Sequence, residues 1–167
     1  MRICLVRIDK MGDMILTLPI IQALKRDNNQ IDVICSQSNF KICNKLNIIN
    51  KIYLLKKNFT RILNTIINIR KENYDYIFTF SPGILSILMS IFSGSKTKSL
   101  LILQSRYKNN FASKLLEKIL GNLFYRHCII VDRQHRFSKK NSIHQTELMK
   151  ELVIKSGLKI NDTDEIK

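Results

Sequence analysis

Four residues near the start of the chain are candidates for chemistry because they share one short polar turn: Asp9, Lys10, Gly12 and Asp13. The turn separates an apolar run, residues 3–8, from a second apolar stretch, residues 14–24. An acid at the position of Asp13 can cap a helix, act as a general base towards a hydroxyl group, or do both. Asp9 and Lys10 can contact a ligand or simply solvate the turn. Gly12 lets the turn approach a ligand or a neighbouring strand without an intervening Cβ.

The elements around this turn predict an open α/β sheet. A buried strand followed by a helix is its opening unit, and such sheets bind ligands at the carboxyl ends of their strands. Further strands are predicted at residues 31–35, 52–55, 76–80, 99–103 and 128–131. Helices are predicted at 14–24, 38–46, 60–71, 82–91, 111–124 and 143–156. This alternation is typical of a parallel sheet with helices on both faces, here a Rossmann-like domain over residues 1–158 with a polar tail or linker at 159–167.

The chain is strongly basic. It has 28 Lys and Arg against 13 Asp and Glu, a formal charge of +15. Residues 96–140 hold eleven basic and two acidic residues, which accounts for +9 of that total. Such an excess suits a nucleic acid, an anionic membrane surface or a phosphorylated glycolipid, although an AT-rich genome also inflates lysine. Arg133 and Arg136 can hold phosphates or acidic sugars through their planar guanidinium groups, or can form a solvated surface.

Several other classes of site are disfavoured. Cys4, Cys35, Cys43 and Cys128 form no Cys-x-x-Cys pair, which favours free thiols in a reducing cytoplasm. The three histidines lack zinc-site spacing, and neither a dinucleotide fingerprint nor a P-loop is present. No signal peptide is apparent. The apolar stretch 76–92 is interrupted at 81–83 and is too short to span a bilayer, which predicts a buried strand, a turn and a buried helix.

Three segments carry a resemblance to a known family. The sequence from Arg7 to Lys25, with Gly12-Asp13 before Leu16-Thr-Leu-Pro19, resembles the amino terminus of glycosyltransferase family 9, the heptosyltransferases of the lipopolysaccharide core. Weaker similarity follows at 74–83, where Tyr-Asp precedes an apolar strand and a glycine turn, and at 143–149, where a His-containing helix leads out of the domain. The resemblance covers most of this chain but only the first half of a family member.

The resemblance implies the amino-terminal, acceptor-side half of a GT-B glycosyltransferase, with the donor-binding domain absent and supplied by a separate chain if at all. It implies inverting, metal-independent sugar transfer from an ADP-heptose type donor to a lipopolysaccharide core or lipid A-type acceptor, without a cofactor. Asp13 would be the general base. The residues expected to bind the acceptor are Asp9, Lys10, Gly12, Ser81, Gly83, Arg133 and Arg136.

Some features depart from that pattern or leave alternatives open. The family carries an acid or amide near Ser81, and Thr79 and Ser81 are weak substitutes, so residues 81–83 can equally be a turn that starts a helix. The chain can also be a non-catalytic acceptor-binding remnant. A basic nucleic-acid-binding domain is a further alternative, which the scattered aromatic residues disfavour. The expected location is the cytoplasm, with peripheral contact at the inner face of the membrane.

Overall fold

The computed structural model describes residues 1–56, 58–81, 83–103, 119–131 and 144–160 of the 167-residue chain. The strands are β1 (Arg2–Arg7), β2 (Gln30–Cys35), β3 (Lys51–Leu54), β4 (Tyr76–Thr79), β5 (Thr97–Leu103) and β6 (His127–Val131). They form one sheet in the order β3-β2-β1-β4-β5-β6, and every neighbouring pair is parallel. The predicted six strands and the parallel sheet are therefore confirmed.

The helices cover both faces of this sheet. They are α1 (Met11–Ile15), α2 (Leu18–Arg26), α3 (Gln37–Cys43), α4 (Phe59–Lys71), α5 (Ile84–Phe92) and α6 (Gln145–Lys155), and residues 119–124 are also helical. On the first face, α1, α2, α3 and α6 pack over side chains such as Ile3 and Leu5. On the second face, α4, α5 and residues 119–124 pack over Cys4, Val6 and Leu100. The two faces follow from right-handed connections, because the chain runs from β1 outward to β3, crosses back to β4 and then runs outward to β6 in the opposite direction.

The first predicted helix is in fact two helices. The chain turns at Leu16 and Thr17 between α1 and α2, and Pro19 lies in the first turn of α2. Because proline has no N–H to donate to Ile15, a continuous helix would lose a bond there. The Thr17 hydroxyl instead donates to the Asp13 carbonyl at 2.8 Å. The prediction of one helix over 14–24 was wrong for this reason.

The predicted buried helix after β4 is only half buried. In α5, Ile84, Leu88 and Phe92 are exposed to solvent. The sequence of this helix is mostly apolar, so it does not indicate which residues face the sheet and which face solvent. No helix among the described residues is long and apolar enough to cross a membrane.

The remaining predicted elements differ from the structure mainly at their ends. α6 begins at Gln145 because the His144 side chain accepts from the Thr146 N–H as the N-cap, and the helix is followed by Gly157 at a φ of 90°. Of the predicted helix 111–124, the part before residue 119 lies outside the described residues, as do Pro82 and the tail from 161. The cysteines are free thiols, as predicted, with Cys128 less buried than the others.

The amino edge of the sheet is held by a network of charges. Glu72 accepts from Lys51 at 2.5 Å and also pairs with Arg2. Asp32 is buried and accepts from the Tyr74 hydroxyl at 2.5 Å and from the Lys51 N–H at 3.0 Å. The network ties the starts of β1, β2 and β3 to the turn before β4. Its position opposite the carboxyl edge indicates a role in stability.

Glu72 predicts an acid dependence of that stability. The hydrogen bond from Lys51, and then that from Arg2, lower the pKa of Glu72 from 4.5 to about 2. A carboxylate with a lowered folded-state pKa contributes stability above about pH 4.5 and loses it as the pH falls towards 2. We expect Glu72→Gln to lower the free energy of unfolding at pH 7 by about 1 kcal/mol, since the partners are partly exposed, and to flatten its decline between pH 4.5 and 2.

Urea denaturation at several pH values measures this effect. Glu151→Gln on α6, whose carboxylate pairs with Lys155 on an exposed surface, is the matched control and should change the free energy of unfolding at pH 7 by less than about 0.5 kcal/mol. An unchanged pH profile in Glu72→Gln would show that the network does not stabilise the fold.

Candidate active site

The polar turn after β1 lies at the carboxyl edge of the sheet, between β2 and β4. The chain passes from β1 to β2, which lies on one side of β1. The strand β4 lies on the other side of β1 and begins the second half of the sheet. This is the topological switch point, where open α/β sheets bind ligands. The ends of both neighbouring strands contribute to it. Asn39, at the start of α3, donates to the carbonyls of Arg7 and Asp9 at 3.0 and 3.2 Å.

Arg7, the last residue of β1, is the central side chain of this site. It is fully buried, and its guanidinium lies between two carboxylates. Its Nη1 is 4.0 Å from Oδ2 of Asp9, and its Nη2 is 3.8 Å from Oδ1 of Asp13. The same group donates to main-chain oxygens, from Nε to Asp13 at 3.0 Å and from Nη1 to Phe80. One cation therefore connects the turn after β1 to the end of β4.

Asp9 and Ser81 meet across the switch point. The Ser81 hydroxyl donates to Oδ1 of Asp9, while the N–H of Ile8 donates to the Ser81 oxygen at 2.8 Å. Ser81 is fully buried, and the Asp9 carboxylate is nearly so. Of the two sequence interpretations for Asp9, solvation of the loop therefore does not hold. The contacts give Asp9 a structural role and do not test whether it also binds a ligand.

Asp13 is not the N-cap residue of a helix. It is the third residue of α1, whose N-cap is Lys10, and the Lys10 side chain makes no capping hydrogen bond. The interpretation of Asp13 as the N-cap was wrong because α1 begins three residues earlier than the apolar pattern indicates. The Asp13 carboxylate instead points towards Arg7 and retains 15% of its side-chain exposure. A carboxylate that is held by a buried cation and still reachable from solvent can accept a hydrogen bond from a hydroxyl group that approaches from the solvent side.

The other predicted site residues lie in different settings. Lys10 is exposed in the turn. Gly12 is exposed, and a Cβ at this position would meet no atom within 4 Å, so the idea that it accommodates a neighbouring strand is wrong. Gly83 is the N-cap of α5 with a φ of 144°, and its carbonyl accepts from Ser86 at 2.9 Å, so a helix does begin directly after Gly83. Arg133 and Arg136 lie outside the described residues.

The sequence interpretation did not single out Arg7 and Asn39. A signal for Arg7 was present, since a charge within an otherwise apolar strand must find partners when the strand is buried, and two acids follow within six residues. Asn39 had no comparable signal. Its role depends on how α3 packs beside β1, which local sequence does not define.

Arg7 should be essential to the stability of this edge. Arg7→Met leaves the buried Asp9 carboxylate without its cation and the Phe80 carbonyl without its donor. Breaking a buried ion pair from one side costs about 3–5 kcal/mol, so we expect a loss of that size in the free energy of unfolding. Chemical denaturation measures it. Arg61→Met, at an exposed position of α4, should change stability by less than about 0.5 kcal/mol. Equal, small effects of both substitutions would contradict the assignment.

Comparison with known proteins gives matches at the level of structure only. No family model matches the sequence, and no curated protein matches it significantly. A family 9 glycosyl transferase from Veillonella parvula superposes with a TM-score of 0.70 at 14% identity, over 97% of this chain and 42% of that chain. The E. coli heptosyltransferase WaaC with ADP gives 0.67 at 17% identity, over 97% and 49%.

A third similar structure is the E. coli ADP-heptose lps heptosyltransferase II, with a TM-score of 0.61 at 13% identity, over 81% of this chain and 36% of that chain. This chain thus spans half or less of the length of each of these structures. The resemblance seen in the sequence is confirmed as a likeness of fold. The chain has the α/β fold of the amino-terminal half of a GT-B glycosyltransferase.

Proposed function

We propose that this chain is the acceptor-side half of a heptosyltransferase-like glycosyltransferase, with Asp13 as the general base. The observation that carries the proposal is the pairing of Asp13 with buried Arg7 at the switch point of this fold. The proposed donor is a nucleotide-sugar of the ADP-heptose type, and the proposed acceptor is a lipopolysaccharide core or lipid A-type glycolipid. Structures of similar fold are named as complexes with ADP and with ADP-2-deoxy-2-fluoro heptose, which supports the donor class.

In the proposed reaction, the Asp13 carboxylate takes the proton of an acceptor hydroxyl group. The oxygen then bonds to the anomeric carbon of the donor sugar from the face opposite the leaving group. The bond from that carbon to the nucleoside diphosphate breaks, and its electron pair leaves with the diphosphate, so the configuration inverts. The chain contributes the base and its orientation. Ion pairing with Arg7, together with the bond from Arg7 Nε to the Asp13 carbonyl, restricts the carboxylate to one direction.

Acceptor recognition is proposed for groups around this carboxylate. Lys10 and Gly12 are exposed beside Asp13, so a phosphate or sugar can approach the turn there. Asp9, Ser81 and Gly83 would support the turn and the adjacent start of α5. Arg133 and Arg136 would hold anionic groups of the acceptor. The excess of basic residues suits such a polyanionic partner.

A second candidate function is acceptor binding without catalysis. The 167 residues correspond to about half the length of the similar structures, so this function concerns that half alone. Transfer requires the donor and the acceptor to be held against each other, and that positioning supplies much of the rate. The 167-residue chain alone is therefore expected to bind acceptor but not to turn over a nucleotide-sugar. The two candidates differ in whether activity appears when a donor domain is added.

Asp13→Asn tests the proposed base. The chain is joined to the carboxyl-terminal half of E. coli WaaC, and transfer from ADP-heptose to lipopolysaccharide lacking its heptoses is followed by mass spectrometry. Asparagine keeps the size of the side chain and the main-chain bonds of residue 13 but cannot take the proton. We expect the rate to fall by a factor of about 10² or more, with the fold retained. Asp27→Asn, an exposed acid after α2, should leave the rate unchanged. Full activity in Asp13→Asn would end the catalytic proposal.

Gly12→Ala tests whether the acceptor approaches over this turn, because the substitution can affect acceptor binding without lowering the stability of the protein. Because a Cβ here meets no protein atom, and alanine favours a helix over glycine by about 0.5–1 kcal/mol, the variant should be at least as stable as the parent. If the acceptor approaches over this turn, binding of heptose-deficient lipopolysaccharide should weaken severalfold. Calorimetry measures both quantities on the chain alone. A loss of stability would contradict the open surroundings, and unchanged affinity would remove Gly12 from the acceptor site.

A further inference from the structure

The helix α5 has an apolar outer side, which is unusual for a surface helix. Its buried side holds Ser86 and Ser90 together with Ile87 and Met89, while the exposed residues are all apolar: Ile84, Leu88 and Phe92. The exposed residues are four apart and therefore form one stripe along the helix. The nine-residue sequence of α5 contains no charged residue. Such an outer side is suited to apolar surroundings rather than to water.

The neighbouring helix α4 carries a second stripe. Phe59, Leu63 and Ile67 are also four apart and exposed, and Phe59 retains 71% of its accessible surface. The next residues along the same side of the helix, three and four positions further on, are Arg70 and Lys71, both exposed. The apolar stripe thus ends in two cations at the carboxyl end of the helix.

The two stripes belong to one surface. Both helices pack on the second face of the sheet and contact each other. The Arg70 side chain reaches the turn after α5, where its Cγ lies 3.2 Å from the position that a Cβ on Gly94 would occupy. Leu123, on the helical residues 119–124 of the same face, is 71% exposed and adds to it. We call the six residues of the two stripes the apolar face: Phe59, Leu63, Ile67, Ile84, Leu88 and Phe92.

The charge around the apolar face indicates which kind of partner can bind there. Glu72 directly follows α4, and Lys96 is paired with Asp75 at 2.6 Å. The described segments 59–71, 84–98 and 119–126 themselves contain no Asp or Glu and six basic residues: Arg61, Arg70, Lys71, Lys96, Lys98 and Arg126. Two copies of this chain meeting through the face would bring like charges together, which disfavours self-association. A lipid bilayer with anionic headgroups offers an apolar interior below a layer of negative charge, and it matches both properties of the surface.

We propose that the apolar face docks on the surface of an anionic bilayer, with the two stripes entering the headgroup boundary and Arg70 and Lys71 contacting lipid phosphates. The helices α4 and α5 then lie in the plane of the membrane. The site at the carboxyl edge of the sheet remains beside the membrane surface. This inference uses none of the catalytic residues and is tested independently of the proposed reaction.

A fluorescent reporter gives a direct test, because the chain has no tryptophan. Phe92→Trp places one tryptophan in the apolar face, and Ile154→Trp places one at a comparably exposed site on α6, across the sheet. Vesicles of phosphatidylcholine with 30% phosphatidylglycerol, and of phosphatidylcholine alone, are titrated into each protein. We expect the Phe92→Trp emission to shift to the blue with anionic vesicles only, and the Ile154→Trp emission to stay unchanged.

The cations are tested in the same background. Each Lys or Arg near an anionic surface strengthens partitioning about fivefold, so Arg70→Gln with Lys71→Gln should weaken vesicle binding by roughly 25-fold. Lys41→Gln with Lys45→Gln, exposed on the first face, is the matched control and should have little effect. Circular dichroism verifies that every variant is folded.

Three outcomes would overturn the proposal. The first is a Phe92→Trp emission that does not respond to anionic vesicles. The second is an equal response at Ile154→Trp, which would mean non-specific adsorption. The third is a blue shift that grows with protein concentration in the absence of vesicles, which would identify a second copy of the chain as the occupant.

Discussion

The carboxyl edge of this sheet depends on one buried cation. Arg7 ends the central strand inside the protein, where an isolated charge would be too costly to keep. Its partners come from three directions, the carboxylates of Asp9 and Asp13 and the carbonyl of Phe80. The need to satisfy this guanidinium fixes the path of the turn after β1 and its distance from the end of β4. The geometry of the candidate base is thus a consequence of charge compensation.

The charged residues at the two edges of the sheet have different roles. At the amino edge, Glu72 and Asp32 join the starts of several strands through contacts that are complete within the chain. At the carboxyl edge, Asp13 is held from one side and reachable from the other. The exposed fractions of the two side chains are similar, 19% for Glu72 and 15% for Asp13. What separates them is their place in the fold, because Asp13 lies at the carboxyl edge of the sheet, beside the switch point where sheets of this kind bind ligands, and Glu72 lies at the opposite edge.

On the second face of the sheet, some polar side chains are buried while some apolar side chains are exposed. The serines of α5 face inward, where the Ser86 hydroxyl donates to the Ser81 carbonyl at 2.6 Å. That bond links the start of the helix to the switch point, which gives a physical reason for the inward direction of the polar side. Ile84, Leu88 and Phe92 are then left on the outside, beside the stripe of α4, while other apolar residues of α5 are buried with the serines. A bond that supports the candidate site also creates the surface that we assign to the membrane.

The sequence by itself determined the elements and the class of fold. Alternating apolar runs and helical stripes located all six strands, and the Gly12-Asp13 turn marked the site, because these signals are local and repeat with the period of each structure. Tertiary structure decided the rest. The pairing of Arg7 and the outward direction of the apolar stripe of α5 depend on which groups meet across the sheet. Local sequence states what a residue prefers, while burial and partners depend on residues distant in the chain, such as Phe80 from Arg7.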